Sequence, residues 1–202
     1  DKYLYALAPS PYISGVSGRR VDDEGILDFL PPLDEAEKME FAERLEQGFK
    51  LALFEGMDIF GGISSVLVAI AERFSQGNSN ISIKPFLRKP KALLRLVKGL
   101  AKSKLAGRSM LPKDVWSLKG VMAGGTDTTV FKEKIKEMWG RYPLDAYGCS
   151  ESSIIATQTW DYQGMTFIPH TNFFEFIPEK ESLKSKEDPS YLSLIHISEP
   201  TR

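Results

Sequence analysis

The sequence predicts an α/β fold in which a parallel βαβ sheet is flanked by helices, and three neighbouring segments carry this prediction. Leu118–Gly125 and Leu144–Gly148 are short apolar runs of the kind that form buried strands. Between them, Val130–Trp139 alternates acidic, basic and apolar side chains as an exposed helix does. Strand, helix and strand in this order are typical of parallel sheets, in which ligands bind at the carboxyl ends of the strands.

The first third of the chain is predicted to hold one strand, one loop and one long helix. Tyr3–Leu7 is apolar and short enough for a buried strand, whereas Pro9–Gly18 is dense in Pro, Ser and Gly and indicates a loop. Asp34 is a helix-capping residue type, and apolar residues at helical spacing follow it. We therefore predict an amphipathic helix over Asp34–Glu55, which Gly56 is expected to end.

An apolar segment follows. Ile59–Phe74 is apolar nearly all round but too short to span a bilayer, so we predict a buried helix that begins near Ser64. Four of its apolar residues are expected to be ordinary core, with the lining of an acyl pocket as the alternative: Ile63, Val66, Leu67 and Ile70.

A basic segment comes next. Ile81–Lys113 carries ten basic side chains and no acidic one, and apolar residues at helical spacing lie among them. This pattern favours a solvated helix face that covers a core. A surface for the phosphates of a nucleotide or of coenzyme A is one alternative, and a nucleic-acid surface is another, although interleaved aromatic residues for base stacking are missing.

The last part of the chain is predicted to add two strands. Met165–Pro169 and Phe173–Pro178 are rich in aromatic and branched residues and lie close enough in sequence to form a local sheet. The three tryptophans are expected to pack at the edges of elements: Trp116, Trp139 and Trp160.

Composition narrows the classes of function. The formal net charge of the 202 residues is -1, so charge gives no overall attraction to nucleic acid or membrane. No apolar run reaches the roughly 20 residues that span a bilayer. Cys149 is the single cysteine, which suits a reducing compartment. We therefore expect a cytoplasmic protein with no nucleic-acid partner and no membrane partner.

Two reactive side chains are expected to be structural. Cys149 is predicted to be a small buried residue, because no histidine is well placed to activate it as a nucleophile. His170 is predicted to be a hydrogen-bonded structural histidine, with a general base for an incoming amine as the alternative.

The residues at the end of the first predicted strand can border a flat ligand. Gly124 and Gly125 have no Cβ, so the backbone can approach a ligand closely. Thr126 adds a hydroxyl group directly after them. We take these three residues as candidates for cofactor binding.

The residues at the end of the second predicted strand supply what a nucleotide–magnesium site needs. Tyr147 offers an aromatic face for a base, and Gly148 permits a sharp turn. Ser150 has a hydroxyl group for a phosphate oxygen. Glu151 is a hard oxygen ligand of the kind that Mg²⁺ takes together with phosphate oxygens. The alternative is that this segment is only a turn with a helix N-cap at Ser150.

The string AYGCSES resembles the Tyr-Gly-x-Ser/Thr-Glu motif of the adenylate-forming enzyme superfamily, which includes acyl-CoA synthetases. It is most similar to the acyl-acid amido synthetase family, also called the auxin-responsive promoter family, and its bacterial relatives. Four other stretches fit the layout of that family: Pro9–Gly15, Leu30–Leu53, Val121–Asp127 and Ile168–Glu181. The resemblance therefore covers roughly residues 1–185.

The resemblance implies a ligase. Such enzymes use ATP and Mg²⁺ to activate a carboxylic acid as an acyl-adenylate and then transfer the acyl group to an amine, usually an amino acid. An acyl-CoA ligase with a thiol acceptor is the alternative within the superfamily. By position, the resemblance implies that Tyr147 packs on the adenine, that Ser150 contacts phosphate and that Glu151 helps to hold Mg²⁺. Gly124 and Gly125 would line the adenine and ribose.

The resemblance also predicts that this chain is a fragment. A hydroxyl-rich SSGTT-like phosphate loop is expected upstream, and Ser14–Arg20, the nearest candidate, lacks that run. A Tyr-Arg-x-Gly-Asp ribose motif and a mobile C-terminal domain are expected downstream. The chain begins at Asp1 in mid-pattern. We therefore expect the middle part of the large N-terminal domain of such an enzyme, inactive by itself.

The last residues are expected to be foreign to the protein. Leu192–Arg202 reads LSLIHISEPTR, which resembles the translation of a transposase adapter used to prepare sequencing libraries. A genuine short strand with an ordinary tail is the alternative. We predict that residues 1–190 belong to a partial adenylate-forming, acyl-activating domain and that residues 191–202 are a non-native tail.

A second class of function stays open at this point. The chain can instead be a non-catalytic protein that binds an anionic partner through Lys84–Lys113, with the YGCSES segment as a mere turn.

Overall fold

The computed structural model describes residues 1–77, 89–149, 151–170, 172–174 and 176–188. It divides into two compact units, Asp1–Thr171 and Asn172–Arg202. The first unit holds the sheet, whose strands are β1 (Lys2–Tyr5), β2 (Asp28–Leu30), β3 (Ile59–Ile63), β4 (Gly120–Gly124), β5 (Pro143–Cys149), β6 (Ser153–Thr157) and β7 (Thr166–Phe167). Its helices are α1 (Ile13–Asp23), α2 (Leu33–Ala36), α3 (Phe41–Glu55), α4 (Ser64–Gly77), α5 (Pro90–Leu105), α6 (Pro112–Val115) and α7 (Thr128–Trp139).

The seven strands found among the described residues form one mixed sheet in the order β2-β1-β3-β4-β5-β6-β7. The strands from β2 to β5 are parallel, and β6 and β7 are antiparallel to their neighbours. The predicted α/β class and the parallel βαβ unit, formed by β4, α7 and β5, are therefore confirmed. The sheet is not wholly parallel, because the chain reverses after β5 and pairs directly with itself as a hairpin.

One face of the parallel strands carries the main core. Leu4, Phe60 and Val121 are partners in register on neighbouring strands and are almost completely buried. Helices α3, α4 and α7 pack against this side. The ring of Phe60 lies 4.6 Å from that of Trp139, measured between centroids. Each such side chain contributes about 1.5–3 kcal/mol through removal from water.

The tryptophan predictions are confirmed for two of the three residues. Trp116 and Trp139 are buried, and each indole N–H donates to a backbone carbonyl, of Ala52 and Leu67 respectively, at 3.0 Å. Trp160 is exposed, so its predicted packing role is wrong. It lies in a polar turn after β6, where no element covers it.

Among the described residues of the first unit, the opposite face of the sheet is covered at one end only. Tyr3, Tyr5 and Phe29 form a second, smaller core with residues of α2. Helix α1 packs over this end, and the ring of Tyr5 lies 3.5 Å from the position that a Cβ on Gly18 of α1 would take. Further along the sheet, no described element of the first unit lies over this face, and the cleft described below is found there.

Helix α1 corrects the prediction of a loop over Pro9–Gly18. The loop ends at Tyr12, and the helix begins at Ile13. Gly15 and Gly18, which lower helix propensity, are the buried residues of the helix. A Cβ on Gly15 would lie 2.1 Å from the backbone nitrogen of Ser10, so the preceding turn can lie against the helix only because the residue is glycine. Tertiary packing here overrides a weak local preference.

The predicted single helix over Asp34–Glu55 is two helices, α2 and α3. Asp34 is inside α2 rather than its cap, and its carboxylate accepts a hydrogen bond from Arg19 at 2.6 Å. The buried guanidinium of Arg44 in α3 donates to the carbonyls of Ala36 and Leu7. These long-range bonds fix the break between the helices. Gly56 ends α3 with a φ of 101°, as predicted.

Two more helix predictions are confirmed. Helix α4 begins at Ser64, and its Leu67 is core as expected. Ile63 is not core, because it is exposed at the end of β3, a strand that was not predicted. Helix α5 lies within the basic segment, and its Ala92 and Leu96 are buried in the core. Its outer side exposes several lysines and also Leu94, Val97 and Leu105. Lys84 and Arg88, at the start of that segment, lie outside the described residues.

The second unit contains helix α8 (Glu179–Glu187) among its described residues. The predicted strand over Phe173–Pro178 is wrong in its described part, which is irregular. A strand needs a hydrogen-bonded neighbour, and the regular element described in this unit is a helix. The rings of Phe174 and Phe176 stack on each other with centroids 6.4 Å apart. The predicted strand over Met165–Pro169 exists but is limited to β7.

The non-native tail predicted over Leu192–Arg202 lies outside the described residues. Within the part of the chain that the structure describes, no helix combines the length and the apolar character that a membrane crossing requires.

Candidate functional site

The strands β3, β4 and β5 point to the same edge of the sheet, and this edge brings the predicted residues Gly124 and Tyr147 together. Ile63, Gly124 and Ala146 are partners in register across the three strands. The last residue of β4 and the three residues that follow it, here called the 124–127 loop, therefore lie beside Tyr147, the residue after Ala146. The sequence prediction of two adjacent strand ends is confirmed in this respect.

The 124–127 loop is built around its two glycines. A Cβ on Gly124 would meet no atom within 4 Å, so open space borders this residue. Gly125 has a φ of 121°, which side-chain-bearing residues rarely adopt, and a Cβ there would lie 2.9 Å from Oδ1 of Asp127. Thr126 is exposed. Asp127 is the residue before the first turn of α7, where backbone N–H groups point out of the helix.

A group of buried hydroxyls lies under this loop. Ser64 Oγ and Thr128 Oγ1 are 2.8 Å apart, and Thr128 Oγ1 is 3.2 Å from Oδ1 of Asp145. Burial raises the pKa of the Asp145 carboxyl above its ordinary value. Asp145 was not among the predicted site residues. The available signal was a carboxylate placed inside an otherwise apolar strand.

The end of β5 holds Tyr147, Gly148 and Cys149. The side chain of Tyr147 is 60% exposed, so its ring is accessible to a ligand. The predicted sharp turn at Gly148 is wrong, because this residue lies within β5 at a bulge. A Cβ there would lie 2.4 Å from the carbonyl oxygen of Ser153, so the close approach of β6 requires glycine. Cys149 is exposed rather than buried, because it lies at the open tip of the hairpin.

The two predicted catalytic residues come next in the chain. Ser150 lies outside the described residues. Glu151 is exposed in the turn that leads into β6. The alternative of a helix N-cap at Ser150 is wrong, because the segment that follows is strand β6.

The fit of Mg²⁺ to this site rests on one described carboxylate, that of Glu151. Among the described residues, no three His, Cys, Asp or Glu side chains lie close enough together to hold a metal. A nucleotide-bound Mg²⁺ needs only one or two protein carboxylates, because phosphate oxygens and water complete its shell. An exposed Glu151 at the strand edge is compatible with that mode of binding.

A cleft of about 360 Å³ lies against the open face of the sheet. Its floor includes Tyr5 and Met122, one wall is helix α1, and Ile63 borders it. Gly124 and Tyr147 also line it, so the cleft and the predicted nucleotide site are continuous. Its volume is in the range of small-molecule sites, and its lining is almost wholly apolar.

His170 is exposed, at the end of the segment after β7. It is not among the residues that line the cleft. Its predicted role as a structural histidine stays a prediction.

Fold and edge geometry together define an α/β protein with an apolar cleft at the carboxyl ends of its parallel strands. No protein-family model matches the chain, and no curated protein is significantly similar to it.

Proposed function

We propose that this chain is part of an ATP-dependent ligase that activates a carboxylic acid as an acyl-adenylate and transfers the acyl group to an amine. The observation that carries the proposal is the pairing of Gly124 with Ala146. This pairing sets the glycine loop beside Tyr147. The two motifs follow each other along the chain in the same order as in the adenylate-forming enzymes that the sequence resembles.

The proposed nucleotide site uses the loop and the tip of the hairpin. Adenine lies between the backbone at Gly124–Thr126 and the exposed ring of Tyr147, where the missing Cβ of Gly124 leaves room. The triphosphate would extend toward Glu151, whose carboxylate would help to hold Mg²⁺, and the ion would neutralise phosphate charge. By the sequence resemblance, Ser150 would contact phosphate. The N-terminus of α7, which starts at Thr128, adds a favourable potential for an anion.

The apolar cleft is the proposed site of the acid. Gly124 and Tyr147 line both the cleft and the nucleotide site, so a carboxylate at its rim would lie next to the α-phosphate. The reaction joins a carboxylate oxygen to the α-phosphorus and releases pyrophosphate. Holding two anions together in a fixed geometry is the main task of the protein, so positioning and charge neutralisation dominate.

We propose that this chain binds ATP but does not catalyse the reaction by itself. The hydroxyl-rich phosphate loop implied by the resemblance is not among its residues, and that loop holds the leaving phosphates in such enzymes. Nucleotide binding is therefore the appropriate test.

The test compares the Kd of ATP with and without Mg²⁺ for the wild type, Tyr147→Ala and Glu151→Ala by isothermal titration calorimetry. We expect Tyr147→Ala to weaken binding about tenfold in both conditions, because an aromatic–base stack contributes roughly 1–3 kcal/mol. We expect Glu151→Ala to weaken binding only when Mg²⁺ is present. Trp160→Ala and Glu43→Ala, which change exposed residues away from the cleft, are the matched controls.

Either of two results would contradict the proposal. A wild-type chain that does not bind ATP, or two site variants that bind it as the wild type does, removes the ligase assignment. A thiol in place of the amine would make the enzyme an acyl-CoA ligase and would leave all these binding results unchanged.

A second candidate function is a non-catalytic protein that binds an anionic partner through Lys84–Lys113. The supporting observation is that α5 exposes Lys91, Lys98 and Lys102 on its outer side. Such binding would be sensitive to salt and independent of ATP. Gel-shift and liposome assays at low ionic strength that show no complex would exclude it.

A further inference from the structure

Three polar side chains tie the carboxyl ends of β3, β4 and β5 together beneath the 124–127 loop. Ser64 follows β3, Thr128 starts α7 after β4, and Asp145 lies within β5. Ser64 and Thr128 are 0% and 4% exposed. Their hydroxyl oxygens are 2.8 Å apart, and either can donate to the other. Asp145 accepts from Thr128 at 3.2 Å.

The same hydroxyls reach the backbone of the loop. Thr128 Oγ1 lies 3.1 Å from the carbonyl oxygen of Gly125, and Ser64 Oγ lies 3.5 Å from that of Gly124. The carbonyls of both glycines are thus acceptors of the buried group. Glycine has the widest choice of backbone conformations, so a loop that contains two of them needs such anchors to keep one conformation.

Proton counting shows that Thr128 is the centre of this group. Each hydroxyl has one proton, yet Thr128 has three oxygen partners: Ser64, Asp145 and the Gly125 carbonyl. When Asp145 is ionised it competes with Gly125 for the Thr128 proton. When Asp145 is protonated it can donate to Thr128, which leaves the Thr128 proton for Gly125.

We propose that Thr128 is a positioning residue, whose hydroxyl, held between Ser64 and Asp145, fixes the 124–127 loop in the conformation that binds adenosine nucleotide. The identity of the ligand rests on the proposed function, whereas the fixing of the loop does not. Sequence spacing gives no hint of this group, because Ser64 and Thr128 are 64 positions apart.

The groups that face Asp145 make the state of its proton a usable readout. They are the Thr128 hydroxyl from α7 and the amide of Ala146 from its own strand, with burial as the largest influence on its pKa. From the segment after β6, the side chain of Gln158 accepts from the backbone amide of Asp145. The pKa of the Asp145 carboxyl is therefore raised by burial and lowered by the hydrogen bonds from Thr128 and Ala146.

The first experiment measures backbone order parameters of residues 125–127 by nitrogen-15 relaxation, without nucleotide, and then the Kd of ATP. Thr128→Val keeps the shape of the side chain and removes the hydroxyl. We expect the order parameters to fall from about 0.85 toward 0.6 and ATP affinity to fall about tenfold. Thr128→Ser should restore both. Thr129→Val, one position along on the exposed side of α7, should change neither.

Each outcome decides a different statement. Unchanged order parameters in Thr128→Val overturn the positioning role. A mobile loop in Thr128→Val together with a wild type that does not bind ATP supports the positioning role and overturns the nucleotide assignment. A mobile loop with unchanged ATP affinity shows that the loop is not part of the nucleotide site, and it overturns the proposal as stated.

Asp145→Asn covers the case in which Thr128→Val fails to fold. This variant keeps an acceptor oxygen at the same position and removes the charge at every pH. In the wild type we expect the loop to become less ordered as pH rises through the range in which Asp145 ionises. In Asp145→Asn that pH dependence should be absent. A wild-type loop whose order does not change with pH contradicts the role assigned to this group.

Discussion

The two faces of the parallel sheet differ in how the molecule uses them. On one face, neighbours in register such as Leu4, Phe60 and Val121 are sealed under α3, α4 and α7. On the other, Ile63 and Met122 belong to the same strands but are 56% and 40% exposed. Alternation along a strand sends successive side chains to opposite faces, so one strand serves both surfaces.

The difference teaches that apolar character alone does not identify core. Ile63 and Phe60 are three positions apart in one apolar strand, yet one lines an open cleft and the other is fully buried. The covered face supplies the stability, whereas the open face keeps apolar surface available to a ligand. Contiguous exposed apolar surface of this kind marks interaction sites more often than chance.

The largest effect expected from this comparison is on stability. Phe60→Ala should lower the free energy of unfolding by about 3–5 kcal/mol, because it empties space against Trp139 in the sealed core. Ile63→Ala, on the same strand but facing the cleft, should cost less than about 1 kcal/mol. Urea denaturation followed by tryptophan fluorescence measures both. Equal losses in the two variants would show that the open face is sealed in solution.

A smaller contrast comes from two glycines on the less covered side. A Cβ on Gly61 would lie 2.2 Å from the hydroxyl oxygen of Tyr3, whose ring is held against Phe29 with centroids 5.3 Å apart. Gly61→Ala should therefore destabilise the protein by about 1–3 kcal/mol. Gly124→Ala, where a Cβ meets open space, should change stability by less than about 1 kcal/mol. Thermal unfolding of both variants provides the check, and a destabilised Gly124→Ala would contradict it.

The smallest expected effect concerns pH. Burial raises the pKa of Asp145 on the helix-covered face, so the folded state holds this proton more tightly than the unfolded state. The group's contribution to stability is full below the ordinary Asp pKa near 4 and is lost as pH rises through the higher folded value. Asp145→Asn should remove this part of the pH dependence. The check is to measure the free energy of unfolding of the wild type and of Asp145→Asn at acidic and at neutral pH. The same pH dependence in both would contradict the prediction.

Local patterns in the sequence predict much of this fold. The unit of β4, α7 and β5, the start of α4 at Ser64 and the end of α3 at Gly56 all follow from periodicity and turn residues. Helix α1 does not, because Gly15 and Gly18 weaken a helix locally and are used to pack it closely. The break before α3 does not either, because it depends on Arg44 reaching carbonyls elsewhere in the chain.

The candidate site also has some features that the sequence predicts and others that it does not. The adjacency of Gly124, Gly125 and Tyr147 was predictable, because parallel strands end at a common edge. The exposure of Cys149 was not, since it depends on which part of the hairpin other elements cover. The contact of Thr128 with Asp145 joins a helix start to the interior of a strand, and no local signal reports it.

In the sheet that the described residues form, the two outermost strands are short, with three residues in β2 and two in β7. A strand at the border of a sheet presents unpaired amides and carbonyls to any other extended chain. Two or three residues offer too few of these groups to hold an incoming strand in register. We therefore expect concentrated solutions of the protein to resist fibril formation that begins from these borders, even though the strands at the centre of the sheet are apolar.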